Sequence, residues 1–214
     1  MSGTQILLIG DDHSGGWHPL QPVREELEKI LEGKFQLTVT QNYDDLSTLS
    51  TSNYAACISY ADIGTRDITL TSEQTAGLLK FIADGGGLLA IHNGISLARS
   101  YELLQVIGAK FVAHPPFQTV HFYRAMNVHP LLEGVEDFTV EEEPYQFEFD
   151  TFTPRTVFLE YEYNGKRWPS AWEHKYGLGK VVYLHPGHTA DSFKPEAIQR
   201  LILNSVCWIA DLDF

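Results

Sequence analysis

The chain has 214 residues, which suits one sizeable α/β domain spanning residues 1–214 and is too short for two domains of ordinary size. Its composition is that of a globular protein, with 43% hydrophobic and 20% charged residues. The net charge of −13 repels a phosphate backbone and an anionic membrane surface. We therefore expect no nucleic acid and no membrane among its partners, whereas a neutral ligand such as a sugar is compatible with this charge.

The location of the protein is predicted from its apolar runs and its N-terminus. No apolar run approaches the length of a membrane span, and the chain leads directly into a strand-like segment at 5–10 instead of a charged, cleavable signal. These features predict a cytoplasmic protein. The two cysteines, Cys57 and Cys207, lie in apolar runs without metal-binding spacing, which indicates small buried side chains and not catalytic thiols.

Strand-like and helix-like segments alternate through the first half of the chain. The pattern predicts strands at 6–9, 35–40, 55–59 and 88–91, and helices at 19–31 and 72–83, the second opened by a capping box over 71–74. The second half predicts shorter strands at 120–123, 138–140, 146–149 and 157–161, then a buried strand at 179–184 and a helix at about 195–210. We expect a three-layer, flavodoxin-like α/β sandwich with a mostly parallel central sheet and an elaborated C-terminal half.

A triple-glycine turn, a short apolar strand and a sharp polar exit occupy residues 85–94. The exit reads Ala90-x-His92-x-Gly94, which resembles the spacing of a nucleophile elbow with histidine at its apex. Because ligands of open α/β sheets bind outside the carboxyl ends of the strands, we expect this turn to expose His92 to a crevice there. An imidazole at the apex favours acid–base or metal-ligand chemistry over a covalent Ser or Cys mechanism.

Several of the nine histidines follow predicted strand ends. His13 follows the first strand, and His185 and His188 follow the strand at 179–184, so we expect them to open onto the same crevice as His92. His114, in a proline-rich loop, is expected to reach this crevice. Four other histidines are expected to have structural roles. His18, His121 and His174 are expected to be surface or partly buried groups, and His129 is expected to cap a turn.

An acidic run, Glu141-Glu142-Glu143, precedes Pro144 and Tyr145. A charge run is usually a solvated face. A carboxylate beside histidines, however, can orient an imidazole or act as a general base. Strand alternation places Glu141 and Glu143 on one face, so only part of the run is expected to point inward.

Aromatic rings are the other candidates for ligand contact. Five of them lie in predicted loops or at strand edges: Trp17, Trp168, Trp172, Tyr145 and Tyr163. Aromatic faces in a polar crevice suit sugar rings. The alternative is that these rings pack in the core, because each buries a large apolar area.

Several motifs, in their order along the chain, resemble the ThuA-like (trehalose utilisation) family. They include Leu88-Leu89-Ala90-Ile91-His92, His114-Pro115, Glu143-Pro144-Tyr145 and Gly187-His188. The resemblance implies the class I glutamine amidotransferase-like fold, with His92 where true amidotransferases carry a cysteine, and hence no Cys-dependent glutaminase activity. It also implies a role in carbohydrate metabolism, chiefly of disaccharides and keto-sugars.

These features together predict an enzyme of isomerase or hydrolase type that acts on a sugar or keto-sugar by His/Glu acid–base chemistry. The catalytic candidates are His92, Glu143 and His188. The substrate-binding candidates are His13, Trp17, Asn93, His114 and Tyr145. A small-molecule carbohydrate is the expected partner, and this interpretation requires no cofactor.

Three alternatives stay open, one of them an amidotransferase relic that serves as a subunit of a larger complex. In the first of the other two, the protein is a metal-assisted hydrolase that binds a divalent metal such as zinc, although no local motif such as H-E-x-x-H is present. Three ligands are available from four residues: His13, His92, Glu143 and His188. In the second, a non-catalytic module of the same fold only binds a sugar or a protein partner. The Phe and Tyr residues of 111–123 and 145–163 also predict self-association into a homo-oligomer.

Overall fold

The structure, a computed structural model, describes residues 3–12, 16–64 and 68–212. Within these ranges the strands are β1 (Thr4–Gly10), β2 (Phe35–Thr40), β3 (Ala56–Tyr60), β4 (Gly87–Ile91), β5 (Ala109–Ala113), β6 (Gln118–Arg124), β7 (Phe138–Glu142), β8 (Gln146–Phe149), β9 (Thr156–Tyr163), β10 (Lys166–Tyr176) and β11 (Gly179–Leu184). The helices are α1 (Leu20–Leu31), α2 (Asp45–Thr48), α3 (Ser72–Ala83), α4 (Tyr101–Ile107) and α5 (Glu196–Ile209). No helix in these ranges has the length and apolar character needed to cross a membrane.

Nine strands form one sheet in the order β2-β1-β3-β4-β11-β10-β9-β6-β7. The first five strands of this order are parallel, and they follow the flavodoxin-like order 2-1-3-4-5. The other four extend the sheet with antiparallel pairing, while β5 and β8 pair as a separate ribbon. The predicted α/β fold, with a mostly parallel sheet and an elaborated C-terminal half, is confirmed.

Helices cover both faces of the parallel strands, which are apolar on both sides for that reason. Ile6 and Leu7, neighbours in β1, belong to two different apolar clusters. The Ile6 cluster includes Leu27 of α1 and Ile202 of α5. The Leu7 cluster includes Leu78 of α3. The sheet is thus the middle layer of three.

Local signals place α3 correctly and leave β10 undetected. At the start of α3, the Thr71 side chain accepts the Gln74 N–H, and the Gln74 side chain accepts the Thr71 N–H, as the predicted capping box requires. β10 contains Pro169, and its register against β9 shifts just after this residue. Proline lacks the N–H that continues a ladder and is a sign of a loop or an irregular strand. The strand β5 and the helix α4 are likewise absent from the prediction.

The interpretation of Trp172 as a sugar-facing ring is wrong. Its side chain is fully buried, and its Nε1–H donates to the Ile107 carbonyl oxygen at 2.8 Å. Trp168 and Tyr163 are partly buried and pack against the cluster on the other face of the sheet. These three rings therefore contribute to packing, which is the alternative that the sequence left open.

The aromatic residues of 145–163 are also less exposed than their number indicates. Phe158 and Tyr161 are fully buried, whereas Phe152 is exposed. In the segment 111–123, Phe111 and Phe117 are both exposed. Self-association stays a prediction, and it rests on fewer exposed rings than the sequence indicates.

Close packing of α2 against α3 leads to a stability prediction at Gly77. A Cβ there would lie 2.1 Å from the Leu46 carbonyl oxygen and 2.7 Å from Ser47 Cα. Helix propensity alone would make Gly77→Ala stabilising by about 1 kcal/mol. Because the methyl group has no room, we expect Gly77→Ala to lower the free energy of unfolding by about 1–3 kcal/mol instead. Equilibrium urea denaturation measures this change.

The matched control is Ala76→Gly, at an exposed position of the same helix. It should lose about 1 kcal/mol through propensity and backbone entropy alone. A Gly77→Ala protein at least as stable as the wild type would contradict the close contact between the two helices.

Candidate active site

Polar side chains gather at the carboxyl edge of the parallel strands, where ligands of α/β sheets bind. His18 follows β1, Asp62 follows β3 and His92 follows β4. His185 and His188 follow β11. The strand order places β1, β3, β4 and β11 side by side, so the structure brings these five residues to one place.

The backbone turns sharply at His92, whose φ of +47° lies in the left-handed region. Residues other than glycine seldom adopt this conformation, and such strain is concentrated at functional sites. Gly94 allows the turn to approach β3, since a Cβ there would lie 2.2 Å from the Ser59 carbonyl oxygen. The structure therefore contains an elbow at the position that the spacing of Ala90, His92 and Gly94 indicates.

The His92 ring is nevertheless fully buried, so the expectation that the elbow exposes it to the crevice is wrong. Tyr145 covers the ring, with centroids 4.1 Å apart. His18 and His188 flank it at centroid distances of 5.0 and 5.2 Å. Tyr145 comes from the connection between β7 and β8, which the elbow motif gives no means of anticipating.

Four side chains converge here, and we call them the His/Glu cluster: His18, His92, Glu143 and His188. His188 Nδ1 lies 3.1 Å from His18 Nε2 and 3.3 Å from His92 Nε2. Glu143 Oε2 lies 3.2 Å from His188 Nδ1 and 3.6 Å from His92 Nε2. These short distances place three ring nitrogens and one carboxylate oxygen around a common point.

Two further groups orient rings of the His/Glu cluster from behind. Asp62 Oδ2 lies 2.8 Å from His18 Nδ1, and the His185 carbonyl oxygen lies 2.9 Å from His92 Nδ1. A carboxylate and a carbonyl only accept, so both Nδ1 atoms must donate. The neutral forms of His18 and His92 therefore carry their lone pairs on Nε2, which faces His188.

The acidic run divides into three environments. β7 ends at Glu142, so strand alternation does not reach Glu143, and the prediction that Glu141 and Glu143 share a face is wrong. Glu141 is exposed and accepts a hydrogen bond from Thr119. Glu142 is fully buried, and Glu143 belongs to the His/Glu cluster.

The buried Glu142 carboxylate links β7 to the loop after β11. It accepts backbone N–H bonds from Gly187 at 2.7 Å, His188 at 3.2 Å and Glu143 at 3.0 Å. Burial raises the pKa of Glu142 to about 7, although the three donors favour its charged form. Through these bonds Glu142 positions the backbone of two members of the cluster.

Electrostatic interactions distinguish the members of the cluster. Burial opposes the charge of Glu143, but its contacts with His188 and His92 outweigh burial and hold its pKa well below the usual range. Burial likewise opposes a charged His188, yet its contact with Glu143 raises the pKa of this ring. For His92, burial dominates and holds the pKa well below its usual value. Burial also lowers the pKa of His185 to about 4.

A cavity of about 860 Å³ opens beside the cluster, and its volume is in the range of small-molecule sites. Its wall includes His18, Asp62 and Glu143, so a bound molecule can reach the cluster. Four predicted substrate-binding residues also line it: Trp17, Asn93, His114 and Tyr145. The fifth, His13, lies outside the described residues. The catalytic and binding roles of all these residues stay predictions.

Two of the lining residues present polar groups that suit a ligand. Asn93 donates through Nδ2 to the Tyr60 carbonyl oxygen at 2.8 Å, while its buried Oδ1 has no hydrogen-bond partner among the described residues. His114 Nδ1 lies 3.7 Å from Glu143 Oε1. A buried acceptor such as Asn93 Oδ1 is normally paired, so this unpaired oxygen is unusual.

His18 and Asp62 are the candidates that sequence reasoning missed. The interpretation of His18 as structural is incomplete, because its ring belongs to the His/Glu cluster. The signal was available, since His18, like His13, follows the first predicted strand in the sequence. Asp62 likewise lies two residues after β3. The strand-end rule applied to His13 covers both residues.

The remaining histidines agree with their structural interpretation. His129 Nδ1 accepts the Leu131 N–H at 3.3 Å and caps a turn. His121 is exposed and lies 2.8 Å from the Thr139 hydroxyl. His174 is buried in β10.

Both cysteines are buried, as predicted. Burial raises the pKa of the Cys57 thiol to about 12. The elbow position, where an amidotransferase nucleophile would stand, carries His92. Neither Cys57 nor Cys207 takes part in the His/Glu cluster.

Comparison with known proteins identifies a family. The family model ThuA, described as trehalose utilisation, matches residues 7–209, which confirms the resemblance seen in the motifs. No curated protein matches.

Solved structures share the fold at low sequence identity. A ThuA-like protein from Parabacteroides merdae has a TM-score of 0.82 at 16% identity, covering 98% of this chain and 90% of that chain. A ThuA-like protein from Bacteroides uniformis has a TM-score of 0.76 at 18% identity, with coverages of 97% and 92%. A cytoplasmic protein from Salmonella typhimurium LT2 has a TM-score of 0.64 at 14% identity, with coverages of 96% and 99%.

The bonds of Glu142 lead to a second stability prediction. In Glu142→Gln an NH₂ group replaces one carboxylate oxygen and faces backbone N–H donors, so at least one buried group loses its partner. We expect the free energy of unfolding to fall by about 1–3 kcal/mol, which urea denaturation measures.

Glu141→Gln is the matched control, because Glu141 is next to Glu142 in the chain and is exposed. Its effect should stay within about 0.5 kcal/mol. Equal stabilities of the two variants would show that the backbone bonds of Glu142 do not hold the loop after β11.

Proposed function

Because the chain belongs to the ThuA family of trehalose utilisation, a family of carbohydrate metabolism, we propose that it is an enzyme that processes a small sugar or keto-sugar. The reaction is an isomerisation or a hydrolysis driven by acid–base chemistry, and no cysteine nucleophile takes part. The observation that carries this proposal is the position of Glu143, whose carboxylate belongs to the His/Glu cluster and also lines the cavity.

The cavity wall supports a sugar as the ligand. Trp17 and Tyr145 provide aromatic faces, which stack on the apolar faces of sugar rings. Asn93 and His114 also line this wall and are its polar side chains proposed to meet sugar hydroxyls. A neutral sugar also avoids the repulsion that a net charge of −13 exerts on an anionic ligand.

Glu143 is the proposed base. Its Oε2 faces His92 and His188, and its Oε1 lies toward His114. In an isomerisation, Oε1 takes the proton from the carbon next to the substrate carbonyl, and the carbonyl oxygen gains a proton to give an enediol. Glu143 then returns its proton to the former carbonyl carbon while the other enediol hydroxyl loses its proton and becomes the new carbonyl, so protons balance and no co-reactant is needed. In a hydrolysis, the same oxygen takes a proton from water while the water oxygen bonds to the sugar carbon, the glycosidic C–O bond breaks, and Glu143 then gives the proton to the leaving oxygen.

The histidines have different roles in this proposal. His188 contacts Glu143 directly and is the proton carrier. His92 is fully buried, so it acts through Glu143 and His188 as a positioning residue and not as a group that touches the substrate. This role replaces the direct catalytic role that the elbow motif predicts for His92.

We also propose a cytoplasmic location. The Salmonella typhimurium protein of the same fold is described as cytoplasmic, and this likeness is the support for the proposal.

The test is turnover of disaccharides and their keto derivatives, beginning with trehalose, with products identified by NMR. We expect the wild type to convert at least one of them. Because Glu143 is the proposed base, Glu143→Gln should lower turnover by about 10²–10⁴-fold. Glu141→Gln, which changes an exposed member of the same acidic run, should retain wild-type turnover.

Two results would overturn the proposal. Sugar binding without turnover in the wild type, seen as a change in tryptophan fluorescence, would identify a sugar-binding module. Turnover that survives Glu143→Gln would remove Glu143 as the base.

A further inference from the structure

We infer that His18, His92, His188 and Glu143 form a binding site for one divalent transition-metal ion, with zinc as the favoured ion. This inference rests on the geometry of the donor atoms and goes beyond the proposed sugar chemistry. The ligand candidates taken from the sequence are His13, His92, Glu143 and His188. The inferred set contains His18 in place of His13.

The spacing of the donor atoms fits a tetrahedral ion. A tetrahedral zinc with bonds of about 2.0–2.1 Å holds its ligand atoms about 3.3–3.4 Å apart. The distances from His188 Nδ1 to His18 Nε2, His92 Nε2 and Glu143 Oε2 are 3.1, 3.3 and 3.2 Å. His92 Nε2 and Glu143 Oε2 are 3.6 Å apart. All four donor groups lie within 4.8 Å of one another.

The hydrogen bonds leave more acceptors than protons at this point. Asp62 and the His185 carbonyl oxygen fix the protons of His18 and His92 on Nδ1, so both Nε2 lone pairs face His188. A proton on His188 Nδ1 lies within reach of three acceptors, the third being Glu143 Oε2, and it pairs well with only one of them. A divalent cation at the centre interacts favourably with all four donor atoms.

The surroundings of the rings resemble those of metal ligands. Metal-binding histidines usually donate their second ring N–H to a carboxylate or a backbone carbonyl, which fixes the tautomer and the ring orientation. His18 has the first kind of partner in Asp62, and His92 has the second in the His185 carbonyl.

A neighbouring group of three residues, His92, Glu142 and His185, also lies within 4.8 Å but does not fit a metal. The Glu142 oxygens already accept three backbone N–H bonds. His185 Nδ1 lies 3.2 Å from the Ser170 hydroxyl, and its Nε2 contacts the Glu143 carbonyl oxygen. Because the protein already uses these donor atoms, we infer one metal ion per chain and not two.

The ligand chemistry favours zinc. Imidazole nitrogen together with one carboxylate oxygen is a common zinc donor set, and soft thiolate ligands are absent from the described cluster. Glu143 and His18 also line the cavity, so an ion at this point would lie beside a bound molecule, and direct contact with that molecule would require the ion to expand from four ligands to five. Such an ion would polarise a bound carbonyl or hydroxyl, and His92 and His188 would then hold the cation in place of a proton.

The experiment measures zinc bound by the full-length protein, purified without a nickel column and treated with EDTA. After zinc is added and excess is removed, elemental analysis should find about one zinc ion per chain. His18→Ala should weaken zinc binding by at least about 100-fold, because one direct ligand is lost. His121→Ala removes an exposed histidine outside the cluster and should bind zinc like the wild type.

A second variant and a spectrum make the result independent of folding defects in His18→Ala. Asp62→Asn keeps every ligand and should weaken binding by about 10–100-fold, since only the orienting partner changes. Co(II) added in place of zinc should produce the visible absorption of a tetrahedral ion in the wild type, and this absorption should be lost in His18→Ala.

The outcomes separate this inference from the proposed function. Wild-type protein that retains no zinc, or His18→Ala protein that retains zinc as tightly as the wild type, overturns the metal site. Zinc at about one ion per chain supports it whether or not a sugar is converted. Sugar turnover that persists in metal-free protein with EDTA supports the acid–base proposal alone and overturns a catalytic role for the metal.

Discussion

The arrangement of the site depends on one buried carboxylate. Glu142 lies at the end of β7 in the antiparallel extension, yet its oxygens bind the backbone of Gly187 and His188 after the parallel strand β11. It also accepts the N–H of Glu143. Without this link, the two halves of the sheet would present Glu143 and His188 independently. With it, a carboxylate from one half and an imidazole from the other lie 3.2 Å apart.

The two halves of the sheet contribute differently to the site. The parallel strands supply the histidines and Asp62 from their carboxyl ends, which is where this fold places ligands in general. The antiparallel extension supplies Glu142, Glu143 and Tyr145, and these residues lie over the elbow. In an elbow that carries a nucleophile, the apex must remain accessible. Here Tyr145 covers the apex, which is compatible with a role for His92 behind the groups that meet the substrate.

Part of this architecture follows from the sequence because its signals are local. The alternating patterns of β2 and β8, the apolar run of β11 and the capping box of α3 each depend on a few consecutive residues, and these elements match their predicted positions. The elbow is equally local. Burial is not local, because it depends on what packs from elsewhere in the chain. Trp172 is in the core because α4 and β8 pack on it, and His92 is covered because Tyr145 reaches it.

The acidic run also shows that a local pattern alone does not predict burial, here for single residues. Alternation predicts correctly which side chains share a face only while the strand continues. β7 ends within the run, at Glu142, so the next residue leaves the pattern. His18 and Asp62 illustrate a different case. Their strand-end positions are readable in the sequence, but only the structure shows that Asp62 fixes the proton of His18 and turns its lone pair toward His188.

The imidazole rings of the His/Glu cluster lie so close together that the cluster favours one particular distribution of positive charge. Because the three imidazole nitrogens lie within 3.3 Å of their neighbours, two positively charged rings would repel each other, and burial lowers the pKa of His92. Carboxylates from Asp62 and Glu143 contact these rings and favour positive charge at the centre. The site therefore favours a single compact positive charge placed between the rings over positive charge spread across them. A proton on His188 supplies such a charge but pairs well with only one acceptor. A metal ion at the centre interacts with all four donor atoms.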